Sequence, residues 1–475
     1  MERGRAEAPV SGGRGRMKRE MNARPRLVVV GGDAAGMSAA SQARRRIGPE
    51  DLEIVALERG SHTSYSACGI PYLVGKTVPS PEDLIARTPE VFWRDHAIEA
   101  RTGTEVTAID TERREVTATG PGGAYTERYD RLVIATGARP RRPDLPGFDA
   151  YGVFGVQTLD DGTEVSAFLE RHGPRRAVVV GGGYIGLEMA EAFLTRGLEV
   201  TVVDSGPEPM GTLDPDMGAL VRGAMEEMGV AVRTGERATA VAVDGGRVSA
   251  VHTDTGGEYP ADIVCLGLGV RPDSRLAEEA GLETGPTGGV KVDARMRTSV
   301  PGVWSAGDCV EVFHRVSRAP AAIALGTHAN KQGRVAGIDI GGGYARFEGV
   351  VGTAVTKICA VEVARTGLNE AEAAAAGFAY ETVVMTSDSR AGYYPGAQPM
   401  TLKLLAERDT GRLLGGQIVG RENAAKRVDV LATALWNGMD VLDMSGMDLG
   451  YAPPFSPVWD PVLIAARKLA ERVHG

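Results

Sequence analysis

Residues 176–204 read RAVVVGGGYIGLEMAEAFLTRGLEVTVVD. A five-residue apolar strand runs into Gly181, Gly183 and Gly186 at the spacing G-x-G-x-x-G, a helix of small and apolar residues follows, and a second apolar strand ends in Asp204. This order predicts a strand-turn-helix-strand unit of a doubly wound parallel sheet. The glycines permit a tight turn and let a pyrophosphate approach the free N–H groups of the helix N-terminus, while the terminal acid accepts hydrogen bonds from a ribose diol. Ser205, Gly206, Pro207 and Glu208 follow Asp204. With no arginine there to hold a 2′-phosphate, NADH is favoured over NADPH.

The same unit occurs once more, 150 residues earlier counting from Gly181 to Gly31, as RLVVVGGDAAGMSAASQARRR (26–46). Gly31 and Gly36 hold the first and third glycine places, and Asp33 stands in the middle one. The next strand, LEIVALE, ends in Glu58, again a carboxylate at ribose distance. Two units imply two dinucleotides, and a protein that binds two usually passes electrons between them. Two further segments, DRLVIATGARP (130–140) and TSVPGVWSAGDCVEV (298–312), each read as a strand entering a glycine turn.

The chain has 475 residues, 43% of them hydrophobic, enough for two to four domains. A net charge of −9 with only 5% aromatics argues against a nucleic-acid surface and for small-molecule partners. The cysteines at 68, 265, 309 and 359 show neither paired metal-ligand spacing nor disulfide-scaffold density, so no metal site and a reducing, cytoplasmic setting are expected. Residues 1–25 are rich in Arg, Gly and Ala without an apolar run, and read as a disordered tail rather than a signal peptide. No run of eighteen apolar residues predicts a membrane span.

Taken together, these segments resemble the FAD-dependent pyridine nucleotide-disulfide oxidoreductases. The resemblance implies an α/β chain with two Rossmann-like dinucleotide-binding domains, one inserted in the other, and a C-terminal α+β dimerisation domain. Its boundaries fall at 26–150 and 285–349 for FAD, 151–284 for NAD(P)H and 350–475 for dimerisation. FAD would be held by Gly31, Gly32, Ala35, Gly36, Glu58, Thr136, Gly137, Gly307 and Asp308. The nicotinamide cofactor would be held by Gly181, Gly183, Tyr184, Ile185, Gly186, Asp204 and Gly269, with a residue near Tyr184 gating its access.

The segment SYSACGIPY (64–72) narrows the resemblance. Disulfide reductases of this superfamily mostly use two nearby cysteines and a C-terminal His-Glu pair. Here Leu73 stands five after Cys68, and none of the seven histidines lies in the body of the C-terminal region. The chain is similar to the single-cysteine branch: coenzyme A disulfide reductases, CoA-persulfide reductases, NADH oxidases and NADH peroxidases. Its cysteine faces the flavin, and its oxidised form is a mixed disulfide with CoA in the reductases and a sulfenic acid in the oxidases. Ala34 stands where the oxidases carry a histidine, and Gly-Ile-Pro-Tyr after Cys68 follows the CoA-dependent pattern, so the reductase reading is favoured. The alternatives are an NADH oxidase or peroxidase using a Cys68 sulfenic acid, and a slow-turnover, redox-sensing flavoprotein.

From the same resemblance, Tyr394 of AGYYPGA and Tyr451 of GYAPPFSPVWDP would reach the active site of a partner subunit in a homodimer and act as proton donors. Ser38, Gln42, Arg45, Ser64 and His328 match CoA-contacting positions. Ala67, His96 and Trp459 depart from an asparagine and two cations expected there. Arg44 and Arg46 read equally as compensating cations or as a solvated helix face. Cys265 and Cys359 are expected to be buried packing. RENAAKRVDVLATALWNGMDVLDM (421–444) reads as helix throughout, and MTLKLLAERDTGRLLGGQIVG (400–420) as a hairpin turning at Asp409-Thr410-Gly411.

Overall fold

The computed structural model describes residues 24–475. The expected tail lies outside the described residues, its last two apart.

Two parallel five-stranded sheets are built on the same plan. In the first, the strands run in the order Val303–Ser305, Arg131–Ile134, Arg26–Val30, Glu53–Leu57, Ile98–Arg101. In the second, the order is Ala231–Thr234, Glu199–Asp204, Arg176–Val180, Ile263–Leu266, Val153–Gly155. Each fingerprint strand, Arg26–Val30 or Arg176–Val180, is the central one. Buried on both faces, both are near-continuous runs of valine, as parallel strands require. A three-stranded antiparallel meander accompanies each unit, Glu105–Asp110 to Gly123–Arg128 in the first and Ala238–Asp244 to Glu258–Pro260 in the second.

The chain passes between the units along a two-stranded antiparallel ribbon, Ala138–Pro140 with Val270–Pro272. Beyond it Leu276, Ala277 and Leu282 pack into the core of the first unit. The first unit therefore resumes near Asp273, about a dozen residues before the expected 285. Leu276 and Ala277 lie in a short helix, Arg275–Glu279, too small to show a period in sequence, and Leu282 follows it.

The third unit is a five-stranded antiparallel sheet, from Ala354–Ile358 to Tyr380–Asp388 at its edges, covered by helices Val428–Asn437 and Pro461–His474. Pro399–Glu407 and Leu413–Gly420 form the expected hairpin. Two expectations are corrected here. The helix over 421–444 breaks at Gly438, which adopts φ +65° and caps one helix before Val441–Ser445 begins. Cys359 is only half-buried: it packs against the second unit's core while turning the hairpin between Ala354–Ile358 and Val361–Gly367 at φ +58°.

Buried ion pairs tie the third unit to the second. Lys403 has a 4% exposed side chain, donates to Asp216 at 2.8 Å, and pairs with Asp214 at 3.1 Å and with Glu370. Gln417 donates to Asp214 at 2.7 Å. A buried ammonium is tolerated only where carboxylates surround it in this way.

Candidate functional site

In the first unit Gly31 takes φ +106°, and a Cβ there would overlap the carbonyl oxygen of Ala135 on the neighbouring strand's exit. A Cβ at Gly36 would in turn overlap the Gly31 carbonyl, so only glycine lets helix Ala34–Arg44 start this close to the sheet. Glu58 folds back onto the turn, its carboxylate accepting from Gly32 N at 2.6 Å and Gly60 N at 2.7 Å. Gly31, Glu58 and Ala135 line one cleft with Thr136, Gly137 and Asp308. Thr136 is fixed by donating its hydroxyl to Asp273 O at 2.6 Å, and Gly307 N donates to buried Gln332 Oε1 at 2.7 Å.

The second unit repeats this to the residue. Gly181 takes φ +101°, a Cβ at Gly186 would overlap the Gly181 carbonyl, and Asp204 accepts from Gly182 N at 2.5 Å and Gly206 N at 2.6 Å. The nearest arginine on the following helix, Arg222, is held in a bidentate pair by Glu208 at 2.7 and 3.0 Å. Gly183 caps helix Tyr184–Thr195. Burial raises the Tyr184 phenol, and its hydroxyl has no partner among the described residues. Ile185 is exposed at the same helix start. Gly269, at φ +77°, accepts from Arg141 N where the chain returns along the ribbon.

Cys68 lies between these two units. Its segment forms a single turn, Ala67–Gly69, running into the short helix Ile70–Val74. Ile70, Leu73 and Val74 belong to the second unit's core rather than the first's. A Cβ on Gly162 would press on Ile70, and Arg196 donates to Val74 O at 3.0 Å. The segment is thus pinned on the nucleotide unit while Ala67 faces the first cleft. Ser64 enters it at φ +48°, held by its N–H donating to Gly32 O at 3.0 Å and its carbonyl accepting from Ala86 N at 2.8 Å. A non-glycine residue in this conformation stores strain that the surrounding bonds must offset.

Cys68 is an exposed residue whose thiol sits among acids. Partial burial raises the Cys68 thiol first, and Glu188, Asp308 and Asp33 add to it, against its own backbone N–H. Asp308 is itself pushed up to about 6 by burial. Glu188 is raised by burial and by Glu191, and is steadied by Thr356, whose hydroxyl donates to it at 2.6 Å. Burial and these acids thus favour the thiol of Cys68 over its thiolate. Sequence reading missed Glu188 and its partner Tyr72, whose phenol burial and both Glu188 and Glu191 raise. A carboxylate at i+4 from Tyr184, with a second at Glu191, on a mostly apolar helix was the available signal.

On helix Ala34–Arg44 and its C-cap, Ser38, Gln42 and Arg45 recur at i, i+4 and i+7 on the side left uncovered by the core. Gly333 and Gly337 of helix Gly326–Ile340 cross closely there, since a Cβ on either would meet Ser38 or Gln42. Ser38 donates to Asn330 Oδ1 at 2.8 Å, which adds Asn330 to the set. Burial lowers His328, whose Nδ1 lies 3.4 Å from Ile323 O, so its ring is neutral at physiological pH. Arg44 is neither a free cation nor a solvated one: buried, it donates to the carbonyls of His96, Ile47, Leu52 and Ala97. Arg46 packs its side chain against Gly341 and Gly343.

In the third unit Tyr451 is 47% and Tyr394 37% exposed, and neither lines the Cys68 cleft of its own chain. Neighbouring Tyr393 raises the Tyr451 phenol. The Arg467 guanidinium lies 5.4 Å over the Trp459 ring, so a cation stands beside the position that departs from the pattern. No cluster of metal-ligating side chains occurs, and no helix is long and apolar enough to cross a membrane, among the described residues.

Comparison with known proteins agrees with this arrangement. The profile of the pyridine nucleotide-disulphide oxidoreductases matches residues 25–333, and that of their dimerisation domain matches residues 353–461. An NAD(P)H coenzyme A polysulfide/persulfide reductase of Pyrococcus horikoshii is 37% identical over 94% of this chain and 99% of its own. An NADH oxidase of Methanocaldococcus jannaschii is 35% identical over 95% of this chain and 100% of its own. The solved NAD-dependent persulfide reductase of A. fulgidus is 40% identical and superposes with a TM-score of 0.91, over 94% of this chain and 83% of that one.

Proposed function

The chain belongs to the pyridine nucleotide-disulphide oxidoreductases, and from that premise we propose that it is a homodimeric, cytoplasmic NAD(P)H oxidoreductase that binds FAD and reduces CoA disulfide, CoA persulfide or a related small disulfide through Cys68. The observation that carries the reading is the seat of Cys68. A lone, exposed cysteine stands on a segment anchored to one dinucleotide unit and facing the cleft of the other.

FAD fits the first cleft on three counts. The glycine cradle leaves no room for side chains, Glu58 is held where a ribose diol would bond, and one oxygen of Asp33 is buried there without a partner. When bound, FAD supplies a two-electron carrier between nicotinamide and sulfur. Gly31, Gly32, Ala35 and Gly36 would admit its pyrophosphate, with Thr136, Gly137, Gly307 and Asp308 bordering the rest. Gly181, Gly183, Gly186 and Asp204 would hold the nicotinamide cofactor beside Ile185 and Gly269, with Tyr184 as the gate. NADH is preferred because Asp204 faces the ribose and Arg222 is already neutralised by Glu208.

Cys68, as thiolate, attacks one sulfur of CoA disulfide. A Cys68–CoA mixed disulfide forms and one CoA thiolate leaves. Two electrons from NAD(P)H then cleave the mixed disulfide, restoring Cys68 and releasing the second CoA. Tyr451 and Tyr394 of a second copy would deliver the proton to the leaving thiol. Phe455 (73% exposed) and Trp459 (57%) follow Tyr451 in the chain and would give a second copy an apolar surface to cover. Ser38, Gln42, Arg45, Ser64 and His328 would receive CoA, with Arg45 and Arg467 as its cations.

The test is NADH consumption by the FAD-loaded protein without oxygen, with CoA disulfide or CoA persulfide added, beside Cys68→Ser. Turnover that needs the sulfur substrate and disappears in the variant is expected. Rapid oxygen consumption by the intact protein, with no anaerobic turnover, would replace this reading by the NADH oxidase one that the Methanocaldococcus relative's name favours.

A further inference from the structure

The middle place of the first fingerprint is not glycine, and its occupant is unusual for a site that takes a dianion. Asp33 precedes helix Ala34–Arg44 as its N-cap residue but makes no side-chain cap bond, and one of its carboxylate oxygens is buried with no partner among the described residues. It lines the same cleft as Gly31, Glu58 and Asp308.

The groups that act on Asp33 from the surrounding elements offer it no counter-charge. Glu58 faces it from the end of strand Glu53–Leu57, and Asp308 from the turn after Val303–Ser305. Tyr65 and Cys68, both raised by its presence, face it from the cysteine segment. The cleft's cations are committed elsewhere: Arg139 and Arg59 pair with buried Asp273 at 2.7 and 3.7 Å, and Arg275 pairs with Glu279 at 3.3 Å. In the second unit the same place is Gly183, which carries no side chain at all.

We propose that Asp33 makes flavin binding proton-linked: it must be a neutral carboxylic acid, donating its proton, for the pyrophosphate to sit at the helix N-terminus, so each FAD bound takes up a proton. This rests on the flavin reading given above. Burial and Glu58 already raise Asp33 from 3.8 to about 6 in the protein without flavin, against the backbone N–H groups of Tyr65 and Ala34. A pyrophosphate beside it adds negative charge and raises it further. The sign follows from linkage: a group protonated more tightly in the bound state leaves affinity at its full value below the free-state pKa of about 6. Above that, affinity falls by about tenfold per pH unit until the bound-state value is passed. The protein would hold flavin more tightly in mildly acidic than in alkaline solution.

The experiment titrates the flavin-free full chain with FAD between pH 5.5 and 8.5, following flavin fluorescence, for the native protein and Asp33→Asn. Native Kd should rise by at least about tenfold from pH 6 to pH 8, while the isosteric amide binds with a flat profile and more tightly at pH 8. Calorimetry at pH 7 in two buffers of different ionisation enthalpy needs no variant, and should count about one proton taken up per FAD by the native protein. A flat native profile with no proton uptake, or an equal slope in Asp33→Asn, would overturn the proposal. Failure to bind FAD at any pH would overturn the flavin reading itself, and this proposal with it.

Discussion

The two dinucleotide units superimpose in their logic down to the hydrogen bond. Gly31 and Gly181 take φ +106° and +101°, and Glu58 and Asp204 each close on the N–H after the first glycine, at 2.6 and 2.5 Å. Their surroundings differ. The first cleft is bordered by Thr136, the Asp308 turn and the cysteine segment, and holds two buried acids raised to about 6. The second has no such acid in its turn, and its entrance is marked by the raised phenol of Tyr184. The proposed flavin site and the proposed nicotinamide site thus share a backbone, and differ in what the rest of the chain lays across it.

Removing the sulfur between the two clefts gives the largest expected effect. Cys68→Ser should lower CoA-disulfide-dependent turnover by at least about a thousandfold, while flavin absorbance and its bleaching by NADH under nitrogen persist. Loss of bleaching as well would mean that Cys68 supports the nucleotide clefts structurally.

Paired glycine variants separate the clefts next. In Gly31→Ala and Gly181→Ala the new Cβ meets a backbone carbonyl, of Ala135 and Gly267 respectively, at a positive φ. Gly31→Ala should purify without flavin. Gly181→Ala should keep its flavin yet be reduced by NADH at least about tenfold more slowly, read by stopped flow; equal flavin loss in both would erase the distinction.

Asp204→Ala sharpens it further. Losing a charge-assisted contact of roughly 1.5–3 kcal/mol should raise KM for NADH by about ten- to a hundredfold with little change in kcat or flavin content. The KM for NADPH should change less, which steady-state assays with both cofactors will show.

The smallest effect concerns the acids around the sulfur. A raised thiol pKa means less thiolate at pH 7.5 than an ordinary cysteine has, so Cys68 of the flavin-free protein should alkylate slowly, its rate still rising where a free thiol has levelled off. Glu188→Gln removes one acid, lowers that pKa, and should speed alkylation at pH 7.5 by about two- to fivefold. An unchanged rate would show that burial alone sets it.

How far the sequence reaches can be traced residue by residue. The doubled fingerprint, Glu58, Asp204 and the late Gly307-Asp308 turn were readable because a nucleotide turn imposes local constraints on a few consecutive residues. So was the standing of Cys68 with no second cysteine close after it in sequence. The resumption of the first unit near Asp273, the break of a long helix at Gly438 and the turn at Cys359 were missed. Each depends on a short segment with too few residues to show a period.

What the sequence by itself determined is the two glycine turns with their closing carboxylates and the placing of a cysteine at 68, because both are written in contiguous residues. Tertiary structure alone decided which groups act on that cysteine. Glu188 comes from the second unit's helix, held by Thr356 of the third unit, and Asp308 from a turn 240 residues later by number. The burial that raises Asp33 and buries Arg44 likewise exists only once distant segments pack, since desolvation is a property of the neighbourhood a fold creates and not of the residue.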